Sequence, residues 1–368
     1  MTRATILDEP ALLERMQLVA EAFRPSAPID RRGLFSGRTD QIAELFSVVA
    51  QPGQHAVVYG ERGVGKTSLA AVVAELLGSS GVLTARTTCD SGDDFSSVWR
   101  KALGEIELHR ESRGIGFAAT ATDVATPASA VLGDAEVTPH LAARGLEALS
   151  RSRPLAIFLD EFDRLSSADD RALFTDAIKL LSDHAAAATL VLVGVADTID
   201  DLLREHRSIE RALVQVRMPR MSRDELAEIA RRGIEAAQMT IEDHAVDRIT
   251  TLSQGLPHLT HLLTQLGAQA ALAERHASVG MPEVDFAVER AIQRAQQSVT
   301  EAYLRAEPEG IALLAAALAE DDEFGYFSGI DGLGRLVELG ILEQRGERYR
   351  FVNPLLPPYV VMRSELAP

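Results

Sequence analysis

Residues 55–68 read His55-Ala56-Val57-Val58-Tyr59-Gly60-Glu61-Arg62-Gly63-Val64-Gly65-Lys66-Thr67-Ser68. An apolar, β-branched run gives way to a glycine-rich turn and then to a helical segment, Lys66–Leu77. The turn Gly60–Thr67 fits G-x-x-x-x-G-K-[ST], and it stands where that pattern carries meaning, between a strand and a helix. Its glycines let the backbone curl so that N–H groups face a phosphate, and the helix N-terminus adds partial positive charge there. Gly60, Glu61, Arg62, Gly63, Val64, Gly65, Lys66, Thr67 and Ser68 are the expected phosphate-binding residues. Lys66 would reach the β- and γ-phosphates of a nucleotide, and Thr67 would offer its hydroxyl to Mg2+.

Working outward, four more short apolar runs read as buried strands beside His55–Tyr59: Val82–Thr88, Leu155–Leu159, Thr189–Val195 and Leu213–Met218. Helical segments fall between them at Phe95–Glu105, Pro139–Leu149 and Asp169–Ser182. This alternation predicts an α/β domain on a parallel five-stranded sheet. Residues 110–138 are rich in small side chains and too long for a plain connection, so they read as an insertion that includes a hairpin. Before the sheet, residues 1–30 read as a short amphipathic helix followed by an extended linker, because the prolines after Arg24 disfavour helix. The α/β domain is expected over 31–221.

After Pro219 the strand signals stop. Helical periodicity runs over Asp224–Gln238, Ile241–Leu252, His258–Glu274 and Pro282 to about Arg305, with Ser222 and Glu225 forming a capping box. Residues 222–300 are therefore expected as a helical lid. The remainder, 301–368, predicts helices at Gly310–Ala319 and Asp331–Leu339, then two short strands around Arg345-Gly346-Glu347. That is the winged-helix plan.

The strand Leu155-Ala156-Ile157-Phe158-Leu159 ends in Asp160-Glu161, a Walker B pattern. Asp160 would hold Mg2+, mainly through water, since that ion dehydrates reluctantly. Glu161 would polarise an attacking water.

Composition bounds the remaining possibilities. The chain has 368 residues, with 37 Lys+Arg against 54 Asp+Glu, a formal net charge of -17, and one cysteine, Cys89. A lone cysteine excludes an intramolecular disulfide framework and, with an N-terminus that lacks an apolar signal core, points to the cytoplasm. No apolar run approaches the ~18 residues of a spanning helix. The acidic balance argues against binding nucleic acid by bulk charge. Within 301–368 stand six arginines and twelve acidic residues, a net of -6. Arg345, Arg348 and Arg350 are interleaved with Glu343 and Glu347, which favours a protein-contact role for that domain over duplex DNA.

Phe35-Ser36-Gly37-Arg38, the P-loop, Leu159-Asp160-Glu161-Phe162-Asp163 and Gly255-Leu256-Pro257 together resemble AAA+ and STAND-type ATPases. The resemblance spans about residues 28–360 and lies with the origin-recognition-like branch that carries a C-terminal winged helix. It implies ATP and Mg2+ as ligands and hydrolysis of ATP. It further implies an adenine pocket near Arg38, Pro28 and Ile29, and a polar sensor at Asp197, where the family often has Asn. An Asp there is unfavourable near a γ-phosphate unless its charge is compensated. Arg211, with Arg207 as the alternative, falls where the family places an arginine finger aimed at a neighbouring subunit's ATP. Pro257 and His258 open the lid helix where the STAND proteins carry a Gly-x-Pro element that meets nucleotide. The partners implied are a homo-oligomer in the ATP state and a separate effector protein. The class implied is a molecular switch; the alternatives are a DNA-acting loader and a slowly hydrolysing scaffold.

Overall fold

The computed structural model describes residues 7–23, 37–113, 121–196, 199–203 and 209–365. Helix α1 (Glu9–Ala22), capped by Asp8, comes first and belongs with the C-terminal helices. The stretch Gly37–Pro219 forms one unit. In it, α2 (Thr39–Val49) leads to β1 (His55–Gly60), α3 (Lys66–Ser79), β2 (Leu83–Thr88) and α4 (Phe95–Gly104). A hairpin of β3 (Glu107–Arg113) and β4 (Ala121–Pro127) follows, then α5 (Pro139–Ser150), β5 (Leu155–Asp160), α6 (Ala168–Asp183), β6 (Ala188–Val195), the short α7 (Ile199–Leu202) and β7 (Leu213–Arg217).

Five of these strands form one parallel sheet in the order β2-β5-β6-β1-β7. Parallel pairing requires crossovers, and the helices supply them. All six residues of β5 are buried, as a central strand covered on both faces must be. Register pairs Gly60 with Val195 and Thr88 with Asp160, so the P-loop and the acidic pair share the C-terminal edge of the sheet. Trp99 on α4 anchors that helix, fully buried among Phe95, Phe162 and Phe174, with its ring 5.7 Å from that of Phe174.

The insertion is a hairpin that starts earlier than its composition suggests, with Glu107 paired to Pro127. A 3-10 turn, Ala128–Leu132, returns its Ala128 and Leu132 to the core.

The second unit joins α1 to the residues from Arg220 onward. Its elements are α8 (Arg223–Ala236), β8 (Thr240–Ile241), α9 (Asp243–Ser253), α10 (Pro257–Ala273), β9 (Ser278–Val279), α11 (Met281–Arg294), α12 (Gln296–Ala306), α13 (Gly310–Ala317), α14 (Gly334–Glu338), β10 (Leu342–Arg345), β11 (Arg348–Phe351) and α15 (Leu356–Glu365). The capping box at Ser222 and Glu225 is present. Helix α10 packs on α1, α8, α9 and α11. Phe23, at the end of α1, lies edge-on to His261 of α10 at 5.8 Å, and Gln265 donates to the Phe23 carbonyl at 2.9 Å. The N-terminal helix is thus part of the helical unit rather than a separate segment.

Three local expectations fail here. Strand structure does not stop at Pro219: Thr240–Ile241 pairs in parallel with Ser278–Val279, so Ile241 is strand and not helix. The long helix from Pro282 breaks at Ala295. Its apolar spacing is unbroken, but α11 packs on α10 whereas α12 packs on α15, and the change of neighbour sets the break. The helix expected over Asp331–Leu339 is confined to Gly334–Glu338, because Gly332, at φ 80, delays its start. Among the described residues no helix is long and apolar enough to cross a membrane.

Candidate functional site

The C-terminal edge of the sheet gathers the expected nucleotide residues. Gly60 ends β1 at φ 152, and a side chain there would strike the Met218 carbonyl, so only glycine fits. Gly63 and Gly65 hold φ 87 and 94, turning the loop into α3. Lys66 opens that helix and is buried; its Nζ donates to the carbonyls of Gly60 at 2.8 Å and Glu61 at 2.7 Å. Burial pushes its pKa down to about 8, against the opposing pull of Asp163, Asp160 and Glu61. Val64 is buried, Thr67 and Ser68 are half-buried, and Arg62 is exposed.

Asp160 closes β5, one strand removed from β1 because β6 lies between them. Its carboxylate is buried and accepts the Glu161 N–H at 2.9 Å and the Thr67 hydroxyl. Burial raises its pKa. A hydroxyl and a carboxylate bonded to each other, in a pocket that disfavours the bare anion, are a hard-oxygen donor pair suited to Mg2+. Glu161 sits at φ 50, outside regular structure, with its carboxylate 2.8 Å from Arg164 and half exposed to solvent.

Asp163 is a participant whose role the sequence left undecided. Its carboxylate accepts the Val195 N–H at 2.8 Å, tying the turn after β5 to the end of β6, and its charge opposes the effect of burial on Lys66. Gly194 makes this approach possible, since a methyl there would meet the Asp163 carboxylate at 3.0 Å. The only sequence signal is an Asp three places after Asp160. Cys89 lies beside the site, its N–H bonded to the Asp160 carbonyl; burial pushes its thiol up to about 12, so it is no nucleophile.

Of the other expected residues, Arg38 stands against the P-loop and Arg211 does not. Arg211 is exposed in the turn before β7, not on a helix. Leu213 pairs with His55, so Arg211 stands at the N-terminal edge of the sheet, a strand length from its own P-loop. It cannot reach a phosphate bound in the same chain. Arg38 is buried, its guanidinium donating to the carbonyls of Val64 and Pro219. Pro28, Ile29, Asp197 and Arg207 lie outside the described residues. Pro257 begins α10 and His258 is exposed beside it, in the helical unit.

The turn before α10 is held within that unit. Met221 N–H donates to Gly255 O at 2.9 Å, and Arg220 to Gln254 O at 2.7 Å. Gln254 reaches Asp321 at 3.3 Å, the first of the acidic residues Asp321-Asp322-Glu323. Asp322 is paired to Arg348 of the terminal hairpin, and Glu343 to the buried Arg350. Tyr326 donates to Glu343 at 2.8 Å, with the guanidinium carbons of Arg348 and Arg350 4.9 and 4.5 Å from its ring centre.

A parallel sheet with a glycine-rich loop after one strand, an acidic pair after another and a third strand between them defines a P-loop NTPase of the AAA+ fold. Within that class the chain belongs to the family described as novel STAND NTPase 1, whose model matches residues 23–321. Solved structures agree on the fold. The Walker-type ATPase of Pyrococcus abyssi is 13% identical, covering 91% of this chain and 99% of that one, with a TM-score of 0.60. The Orc1 protein of Aeropyrum pernix in complex with DNA is 17% identical, with coverage of 96% and 98% and a TM-score of 0.51. The RuvB Holliday junction branch migration motor of Thermotoga maritima is 18% identical, with coverage of 89% and 95% and a TM-score of 0.50. A comparison with curated proteins finds no match.

Proposed function

We propose that this protein is an Mg2+-dependent ATPase that works as a nucleotide-controlled switch and signals to a separate protein. One observation carries the catalytic half: Lys66, Thr67, Asp160 and Glu161 stand at one edge of one sheet. Lys66 and the P-loop amides bind the phosphates. Thr67 and Asp160 would hold Mg2+, which when bound supplies charge neutralisation at the phosphates. Glu161, once freed from Arg164, orients and deprotonates the attacking water. Arg211, exposed at the opposite edge of the sheet, would act on the ATP of a second copy. Sites of this kind complete each other across subunits, which supports a homo-oligomer in the ATP state.

The switch half rests on the chain of contacts from the Gly255-Leu256-Pro257 turn through Asp321 and Asp322 to the terminal hairpin. A turn that senses nucleotide and a hairpin that meets a partner would then respond together. The helix, short helix and hairpin of residues 310–351 support the winged-helix reading of this region, as does the bridge from Phe327 to Tyr349. The resemblance adds a setting in bacterial defence or regulation, in the cytoplasm.

The second reading is a DNA-acting ATPase, favoured by the Orc1 structure solved with DNA. Against it, all three hairpin arginines already meet carboxylates of the chain, Arg348 with Asp322 and both Arg345 and the buried Arg350 with Glu343. ATP turnover with and without duplex DNA at physiological salt decides between them. Turnover indifferent to DNA is the expected result; strong stimulation would replace the switch by the loader.

A further inference from the structure

Arg38 holds φ 62 at the start of α2, a left-handed conformation that costs a residue with a side chain on the order of 1 kcal/mol. It does not cap the helix with its side chain. The guanidinium turns inward instead: the residue is 6% exposed, and its Nη2 donates to the Val64 carbonyl at 3.3 Å and the Pro219 carbonyl at 2.5 Å. These acceptors belong to two places with different duties. Val64 lies between Gly63 and Gly65 of the P-loop, and a loop that aims its N–H groups at a phosphate must satisfy its carbonyls elsewhere. Pro219 is the last residue of the α/β unit.

Neighbouring contacts bind the same two places. Met218 N–H donates to the Tyr59 carbonyl at 2.7 Å, and Gly60 lies against the Met218 carbonyl too closely for any side chain. Strand β7, which runs out to this exit, pairs with β1 alone among the described residues. The Pro219 bond is short, whereas the Val64 bond is near the limit of a hydrogen bond, so a shift of the loop by about half an ångström makes or breaks it. Because one nitrogen serves both carbonyls, the two segments are not independent.

We propose that Arg38 is a positioning residue that clasps the P-loop to the exit of the α/β unit and passes the loop's nucleotide state to residues 218–219. The proposal rests on the P-loop reading above and deepens it. Arginine suits the task because its planar fork keeps a fixed direction when buried, whereas a lysine ammonium is a point charge on a mobile stem.

Amide hydrogen exchange of the full-length chain, with and without ATP and Mg2+, tests it. In the native protein ATP should slow exchange over 60–68 and, by about fivefold, over 216–221. At ATP concentrations that saturate each variant, Arg38→Met should show ATP-dependent protection at 60–68 and lose that at 216–221; Arg38→Lys should restore part of it. A merely structural role would raise exchange in both segments with and without ATP alike. Native protein protected at 60–68 alone overturns the clasp, as does Arg38→Met with both responses intact. Native protein protected at neither segment overturns the P-loop reading itself, and the clasp with it. If Arg38→Met does not fold, the native pattern and the Arg38→Lys response decide.

Discussion

The P-loop edge of the sheet and the terminal hairpin of the helical unit both concentrate charge, and they treat it in opposite ways. At the P-loop edge, Lys66 is buried against neutral carbonyls and its pKa is driven down to about 8, while burial drives Asp160 up. Burial disfavours the charged form of each group. In the hairpin, Arg350 is buried more deeply than Lys66 but is paired with Glu343, and Arg348 is paired with Asp322. Charge left poised marks a place where a ligand completes the electrostatics; charge answered within the chain is architecture. Function at the first place therefore comes at a cost in stability, and at the second it does not.

Exchanging charges tests this contrast most sharply at Lys66. Lys66→Ala should weaken ATP binding by about 100-fold or more, the loss of charge-assisted contacts of ~3 kcal/mol, as measured by titration calorimetry. The same variant should melt no lower than the native protein, because the ammonium it removes is desolvated and pairs only with carbonyls. A large fall in melting temperature would place Lys66 among the architectural charges and break the comparison. Next in size, Glu161→Gln should cut ATP turnover by about 100-fold, the usual contribution of a general base, with affinity nearly unchanged. Single-turnover hydrolysis reads this directly, and native turnover in the variant would assign the base elsewhere.

Much of the P-loop edge was legible in the sequence because its signals are local. Gly60–Thr67 and Leu155–Glu161 are contiguous stretches whose backbone conformation, strand then turn, is written in residue types. The hairpin was legible as elements, and the interleaving of Arg345, Arg348 and Arg350 with Glu343 and Glu347 already argues against a basic face; only the fold shows which carboxylates, Asp322 and Glu343, they meet and that Arg350 is buried. Arg38 and Asp163 share that limit. Their partners, Pro219 and Val195, are 181 and 32 residues away, and no spacing rule connects them. The break at Ala295 was invisible for a related reason, since apolar periodicity runs straight through it and tertiary neighbours decide it.

A smaller effect is expected at the hairpin. Glu343→Ala leaves Arg350 buried without its carboxylate partner. A fully buried ion pair broken in this way costs ~3–5 kcal/mol; because Glu343 is about one-third exposed, about 2 kcal/mol is expected here, read from denaturant unfolding. ATP affinity should be unchanged. This is the mirror image of Lys66→Ala, and an affinity loss without a stability loss would reverse the roles assigned to the two regions.

The smallest effect lies in the pH response of Tyr326. Burial and its hydrogen bond to Glu343 push this phenol up to about 12, from an ordinary value near 10. The folded state thus favours the protonated phenol more than the unfolded state does. The contribution is fully present below pH 10 and is lost as pH rises through 10 toward 12, where the unfolded chain has released a proton that the folded chain still holds. Partial exposure of the ring screens the effect. In absorbance titration, Tyr326→Phe should remove a phenol that titrates at about 12, and in unfolding experiments it should flatten the alkaline fall in stability at a cost near neutral pH of about 1 kcal/mol, one hydrogen bond. A Tyr326 that titrates near 10 in the native protein would mean that the hairpin network is open to solvent. Arg345, Arg348 and Arg350 would then be available to an external anion, which would return the duplex-DNA reading to contention.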